Sequence, residues 1–336
     1  MAASGLNLAL QGGGAHGAFT WGVLDLLLQQ PDLQIEAISG TSAGAMNAVM
    51  LAQGWLDAGP DGARDCLQRF WHAVAAQSPA RWLPDMEGME PSLNRALNQW
   101  LLRLSSQLSP YDLNPLDLNP LESLLQDGVD FERLRHNSPF RLYIAATRVS
   151  NGKLRLFRET ELDVSRVLAS ACLPTIHRAI EVDGEYYWDG GFAGNPALYP
   201  LIYDSRSRDI LLVLLTPAER PELPTDIDAI GARVAEFGFN SAFLREMRAI
   251  AQLRQQSRSS WWQFGALERR VRRLRFHLIE PDAAMAQLSR ASRYDTRLAF
   301  LLRLKQLGEQ QAQHWLDQGG AFPRRNPGVD LVARFG

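Results

Sequence analysis

Leu6-Asn7-Leu8-Ala9-Leu10 is a short apolar run that predicts a buried strand, and a glycine cluster separates it from Phe19, Val23, Leu26 and Leu27 at helical spacing. A second run, residues 35–39, leads through Gly40-Thr41-Ser42-Ala43-Gly44 into an Ala-rich stretch that predicts a helix ending near Gly54. The repeated order of strand, loop and helix predicts an α/β chain with a parallel sheet covered on both faces. Residues 64–76 carry Leu67, Phe70, Trp71 and Val74 on one side and predict another amphipathic helix. From Pro79 to about Leu134 the pattern loosens, punctuated by Pro79, Pro84, Pro91, Pro110, Pro115 and Pro120, and reads as an inserted cap. Strand patterns return at 142–147 and 154–157, joined by the hairpin dipeptide Asn151-Gly152. A helix over 163–171 follows, then the aromatic run Tyr186-Tyr187-Trp188 entering Asp189-Gly190-Gly191, a buried strand over 210–215, and helices over 226–257 and 295–317 that flank a last strand around 275–279.

The chain has 336 residues, 46% of them hydrophobic and 21% charged, which excludes disordered, collagenous and disulfide-built classes. A net charge of −2 supplies no global field for nucleic acid, and no nucleic-acid partner is expected. The total conceals an asymmetry: residues 80–132 hold nine acids and three Arg, and 245–275 hold nine Arg and two Glu. The most apolar windows, 210–215 and 38–55, are too short or too interrupted by Ser, Thr and Asn to span a bilayer. Cys66 and Cys172 are the only cysteines, fit a reducing compartment and have no metal-ligand spacing, so neither metal nor cofactor is expected. The first five residues carry no signal-peptide pattern, and a cytoplasmic location is expected.

Gly12-Gly13-Gly14-Ala15-His16-Gly17 fits G-x-G-x-x-G between a strand and a helix. Such a loop gathers backbone N–H groups at a helix N-terminus, where a phosphate or a tetrahedral oxyanion is an equally suitable guest, and a plain tight turn is the third reading. A dinucleotide site expects an acid near the end of the second strand. That position instead carries Gly40-Thr41-Ser42-Ala43-Gly44, a G-x-S-x-G at a strand-to-helix turn, in which small neighbours permit a strained serine with an exposed hydroxyl. Ser42 follows only the second strand, which does not fit the ordinary α/β-hydrolase order, and His277 and His314 read as structural or surface residues. Asp189, held in a tight turn by Gly190 and Gly191, is the best candidate base for Ser42, although a lone Asp-Gly-Gly is more often a plain β-turn.

The loop from Gly12 to Gly17, the elbow with supporting Gly40 and Gly44, the stretch Ala169-Ser170-Ala171-Cys172-Leu173-Pro174, and Asp189-Gly190-Gly191 come in an order that resembles the patatin-like phospholipase family. The resemblance covers residues 6–216 as a catalytic domain, including the 79–134 insertion, and leaves 217–336 as a mainly helical region packed on the same sheet. It implies a three-layer α/β/α fold with a mostly parallel sheet. It also implies lipid acyl-ester hydrolysis through a Ser-Asp dyad, with Ser42 as nucleophile, Asp189 as general base, and the N–H groups of Gly13 and Gly14, with Gly12 as a further donor, as oxyanion hole. One departure is His16, where the family commonly carries Arg or Lys; the amides survive that change but a fixed positive charge does not. His16 is expected to be structural or weakly pH-modulating. An ordinary Asp is a poor base at neutral pH, and burial among Tyr186, Tyr187 and Trp188 is expected to raise Asp189.

The implied partner is a lipid or ester substrate. An acyltransferase with the same dyad is the alternative, and a nucleotide-binding regulatory protein built on the glycine loop is a rival of another class. Trp261-Trp262-Gln263-Phe264 beside the Arg-rich stretch is compatible with peripheral membrane contact, but Arg245, Arg248, Arg254 and Arg258 read more readily as the wet face of a long helix, because Phe243-Leu244, Met247 and Ile250-Ala251 already give it a core face. Trp82, Met86, Met89 and Trp100 in the cap suit a lid or acyl-chain pocket, and equally ordinary core packing.

Overall fold

A computed structural model of the chain describes residues 5–77, 119–217, 223–259, 265–282, 290–320 and 328–336, with single positions 109, 111, 114, 220, 285 and 288. Most of the cap read over 79–134, including Trp82, Met86, Met89 and Trp100, lies outside the described residues, as does Trp261-Trp262-Gln263-Phe264. The elements in the first half are β1 (Leu6–Leu10), α1 (Gly17–Leu27), β2 (Ile35–Thr41), α2 (Ala43–Ala76), α3 (Pro120–Gly128), α4 (Phe131–Asn137), β3 (Arg141–Arg148) and β4 (Leu154–Arg158). They continue with α5 (Val164–Ser170), β5 (Ile180–Val182), β6 (Glu185–Asp189), α6 (Tyr199–Tyr203), β7 (Asp209–Val213), α7 (Ile227–Ser259), α8 (Ala266–Arg273), β8 (Arg275–Ile279), α9 (Leu298–Trp315) and α10 (Leu331–Phe335).

The sheet has the order β5-β6-β3-β2-β1-β7-β8, with β4 also paired to β3. Pairs β1–β2, β1–β7, β2–β3 and β7–β8 are parallel, whereas β4, β5 and β6 join antiparallel. Alternation along each strand divides the core in two. Leu8, Leu10, Ile38, Ile144, Leu211 and Val213 bury against α1, α2 and α9. Ala9, Ala37, Tyr143, Ile210, Leu212 and Phe276 bury on the other face, with residues of α6, α7, α8 and α10. The result is a three-layer α/β/α fold in which the central strands are apolar on both faces, as parallel strands covered by helices must be. The chain beyond residue 216 contributes β8 to this sheet and helices to both outer layers.

Helix α2 departs from the expected end at Gly54. It runs on to a kink at Ala58 and Gly59 ahead of Pro60, after which the helix expected over 64–76 follows directly. Gly54 is not a cap: a Cβ there would sit 2.2 Å from the Gly62 carbonyl oxygen, so the residue lets the two halves approach across the kink.

Candidate active site

The register of β3 brings Ser42 and Asp189 together. Strand β2 pairs with β3 up to Thr41 opposite Ala145, and β6 pairs with β3 starting from Asp189 opposite Ala146. Strand β4 covers residues 143–147 of β3, overlapping both, so β2 and β6 must share the opposite edge. They run in opposite directions along that edge and meet tip to tip. The residue after Thr41 and the last residue of β6 are therefore neighbours, although 147 positions apart in the chain.

Each tip is clamped. Ser42 has φ 55° and ψ −122°, a backbone that a non-glycine residue adopts only at a cost of about 1–3 kcal/mol. Its N–H donates to Ser170 Oγ at 2.9 Å, and its carbonyl accepts from the N–H groups of Ala45 and Met46, the first turn of α2. Ser39 and Thr41 donate to the carbonyls of Ala197 and Gly194, tying β2 to the chain that leaves Asp189. Gly44 is required by close approach: a Cβ there would lie 2.2 Å from the Leu10 carbonyl oxygen. Asp189 donates its N–H to the Cys172 carbonyl at 2.7 Å, and its own carbonyl accepts from Thr147 Oγ1 at 2.8 Å. Gly190 lies flat against β3, and the Gly191 N–H donates to Asp189 Oδ1 at 2.8 Å.

Asp189 is fully buried, and its other oxygen, Oδ2, has no hydrogen bond of ordinary geometry among the described residues. Burial raises the carboxyl to a pKa of about 6, partly offset by the Ser42 hydroxyl and the Gly191 N–H. Tyr187 is buried as expected, but Tyr186 is half exposed and does not enclose the carboxylate.

The glycine loop stands over this pair. A Cβ on Gly12 would lie 2.6 Å from Ser42 Cβ, so loop and elbow are in contact. Gly12 is nevertheless removed from the expected donor set, because its N–H already donates to Asn195 Oδ1 at 2.7 Å. The N–H groups of Gly13 and Gly14 have no acceptor among the described residues, and both glycines line a cleft of about 680 Å3 with Ser42 and Asp189. Gly17 closes the loop, its carbonyl accepting from Asn47 Nδ2 at 3.0 Å, and Asn47 in turn accepts from Trp71 Nε1. Leu173, Pro174, Phe192, Phe239 and Leu288 give the cleft an apolar wall, and Arg220, Arg233 and Arg293 give it guanidinium groups.

His16 is buried, with Nε2 at 2.8 Å from Ser292 Oγ. Burial, followed by the charges of Arg293 and Arg220, lowers its pKa to about 4, so it is neutral in the physiological range. The other histidines lie elsewhere. His277 binds Asp209 at the opposite end of the sheet, where Arg275 also pairs with that carboxylate, and His314 is exposed beside Gln318. Glu36, the one acid on β2, accepts from the Arg206 and Ser207 N–H groups at the start of the strand, away from the glycine loop, and so does not occupy the ribose-binding position of a dinucleotide site. Gln11 and Asn195 are site residues that sequence reasoning did not find. Gln11 Oε1 accepts from the Leu215 and Thr216 N–H groups, and its Nε2 donates to the Asn195 carbonyl and Asn240 Oδ1. Gln11 directly precedes the glycine loop and Asn195 lies a few residues past Asp189-Gly190-Gly191, but only the fold makes them neighbours.

A strand-to-helix serine, a buried carboxylate and a pair of open amides thus meet at one end of a three-layer α/β core. The family profile of patatin-like phospholipase matches residues 8–202, more than half of the chain, and the chain belongs to that family. Among solved structures it is similar to VipD from Legionella pneumophila, at 18% identity and a TM-score of 0.43 over 94% of this chain and 67% of that one. It is also similar to the heterodimeric ExoU–SpcU complex from the type III secretion system of Pseudomonas aeruginosa, at 17% identity and a TM-score of 0.28 over 99% of this chain and 74% of that one. A comparison with curated proteins finds no significant match.

Proposed function

We propose that the chain is a serine lipid acyl hydrolase of the phospholipase A or esterase type, in which Ser42 and Asp189 act as a dyad. The observation that carries this reading is the meeting of a strained serine that lines the cleft with a buried carboxylate whose pKa of about 6 suits a base at neutral pH. In the first half-reaction Asp189 takes the Ser42 hydroxyl proton as Oγ attacks the ester carbonyl. The carbonyl oxygen becomes an oxyanion facing the N–H groups of Gly13 and Gly14. Collapse of the tetrahedral intermediate breaks the ester C–O bond, the proton on Asp189 passes to the leaving alkoxide, and an acyl-Ser42 ester remains. In the second half-reaction Asp189 takes a proton from water as it attacks the acyl-Ser42 carbonyl. Fatty acid is released, and the proton returns to Ser42 Oγ. The apolar wall of Leu173, Pro174, Phe192, Phe239 and Leu288 supports an acyl chain as the group held beside Ser42.

Labelling with a fluorophosphonate probe and fatty-acid release from a panel of lipid esters test the reading. Ser42→Ala is expected to abolish labelling, and Ser42→Ala and Asp189→Asn to lower hydrolysis by at least about a thousandfold with the fold retained by circular dichroism. Hydrolysis that survives both substitutions in folded protein would falsify the dyad. Product analysis with a competing alcohol in the same assay separates hydrolysis from acyl transfer.

A further inference from the structure

Helix α7 has two different exteriors. In its second half Phe243, Met247 and Ile250 face the core, while Arg245, Arg248, Gln252 and Gln255 face outward. In its first half the outward positions after the helix start are Ile227, Ile230, Gly231, Val234, Phe237 and Gly238. Ile227 is 77% exposed, Val234 62%, Phe237 58%, and Leu223 just before the helix 83%. Steps of three and four residues place Ile227, Ile230, Val234 and Phe237 in one stripe, about 15 Å long at 1.5 Å per residue. The exposed flank of a surface helix is ordinarily polar, and a contiguous exposed apolar stripe marks a binding surface.

The stripe is continuous with the cleft that holds Ser42. Ala229, Ala232, Arg233, Glu236 and Phe239 on the adjoining flank of the helix line that cleft, and Leu223 belongs to both surfaces. Arg220, Arg233 and Arg293 line it as well, balanced by Asp226 and Glu236, with Arg220 Nε bound to Glu236 and Arg233 Nη1 reaching the Arg220 carbonyl. An apolar stripe bordered by paired guanidinium and carboxylate groups complements the two layers of a lipid surface, acyl chains below and polar head groups above. A second copy of the chain seated on the stripe would lie across the cleft mouth and shut substrate out, whereas a bilayer there presents substrate to it.

We propose that the first half of α7 docks the protein onto a lipid bilayer, with Ile227, Ile230, Val234 and Phe237 entering the boundary between head groups and acyl chains. The stripe thereby sets the cleft against the membrane, and an acyl chain passes along Leu223 toward Ser42 without crossing water. The choice of a bilayer over a second copy and the passage of the acyl chain rest on the lipid acyl hydrolase reading; docking itself does not need Ser42.

The test uses the full chain in two backgrounds. Ser42→Ala protein is floated with vesicles of phosphatidylcholine and of equimolar phosphatidylcholine and phosphatidylglycerol, with and without the combined substitutions Ile227→Gln, Val234→Gln and Phe237→Gln. These remove apolar surface without adding charge and do not line the cleft. The Ser42→Ala protein is expected to float with both kinds of vesicle, and the combined variant to partition at least about tenfold more weakly. With Ser42 present, the combined variant should hydrolyse a short soluble ester at the unaltered rate and vesicle lipid at least about tenfold more slowly. The proposal is overturned if the Ser42→Ala protein does not float, or if the combined variant floats as well. It is also overturned if size-exclusion chromatography shows a dimer that the substitutions dissolve and no vesicle binding, which assigns the stripe to a second copy. Stripe-dependent flotation without hydrolysis of either ester sinks the hydrolase reading and leaves the docking surface standing.

Discussion

Asn195 grips the peptide of Gly12 from both sides: its Oδ1 accepts the Gly12 N–H at 2.7 Å, and its Nδ2 donates to the Gly12 carbonyl at 3.4 Å. The grip fixes the first glycine of the loop and takes its N–H out of play, so that the open amides begin at Gly13. Asn195 in turn follows six residues after Asp189, and Thr41 donates to the carbonyl of Gly194 beside it. One short segment therefore sets the glycine loop, the serine elbow and the carboxylate relative to one another.

Asn195→Ala should leave the fold intact and lower kcat on a soluble ester by about tenfold to a hundredfold, with KM little altered. The magnitude follows because misaiming one oxyanion donor costs up to what its deletion does, about a hundredfold or more. Steady-state kinetics of the purified variant decide it; a loss confined to KM would place Asn195 in substrate binding instead.

Gly44→Ala should be more damaging than an ordinary Gly-to-Ala change in a helix, which by propensity alone would stabilise it. The new methyl would lie 2.2 Å from the Leu10 carbonyl oxygen and 3.0 Å from that of Gln11, both backbone atoms that cannot swing away. A stability loss of about 1–3 kcal/mol in urea unfolding is expected from such overpacking, together with lost fluorophosphonate labelling. A variant as stable and as reactive as the parent would show that α2 and β1 are not in this contact.

The pH profile of kcat/KM on a soluble ester should rise through an apparent pKa of about 6 and level off above it, since the proposed base, Asp189, must be ionised and carries that value. His16, lowered to about 4, is neutral throughout and adds no second inflection between pH 5 and 8. An inflection near 6.5 that disappears in His16→Gln would give the titration to the histidine.

Much of this site was legible in the sequence because its parts are local. A strand ending in Gly-x-Ser-x-Gly needs only its own flanking glycines to be recognised, and β1, β2, β3 and β7 announce themselves as apolar runs because parallel strands are buried on both faces. What stayed hidden depends on long-range register. Nothing in residues 185–189 reveals that β6 runs antiparallel along the same edge of β3 as β2, which is the fact that pairs Asp189 with Ser42. Gly12 looks like its two neighbours until Asn195 is found to hold it. The stripe on α7 was present as a period of apolar residues, but a period does not say whether a face is covered, and Phe243, Met247 and Ile250 already accounted for a core face.

His16 and Asp189 should make opposite contributions to stability in acid. The Asp189 carboxyl takes up its proton at about 6 in the folded chain against 3.8 in the unfolded one, so the folded state binds more protons between those values and stability falls as pH rises through them. His16 stays neutral in the folded chain down to about 4 but protonates at 6.5 when unfolded. Here the unfolded state binds more protons, and stability falls as pH drops through the same window. Each effect is worth about 3 kcal/mol from shifts of this size, so in the parent the two nearly cancel. Substitution should unmask them. Relative to the parent, Asp189→Asn should gain about 3 kcal/mol between pH 4 and pH 7, and His16→Gln should gain about as much between pH 7 and pH 4. Urea unfolding of the three proteins across this range measures both differences, in which all other titrating groups drop out. Two flat differences would mean that neither group is titrating as its burial requires, and with Asp189 unperturbed the chain would lack a base suited to neutral pH.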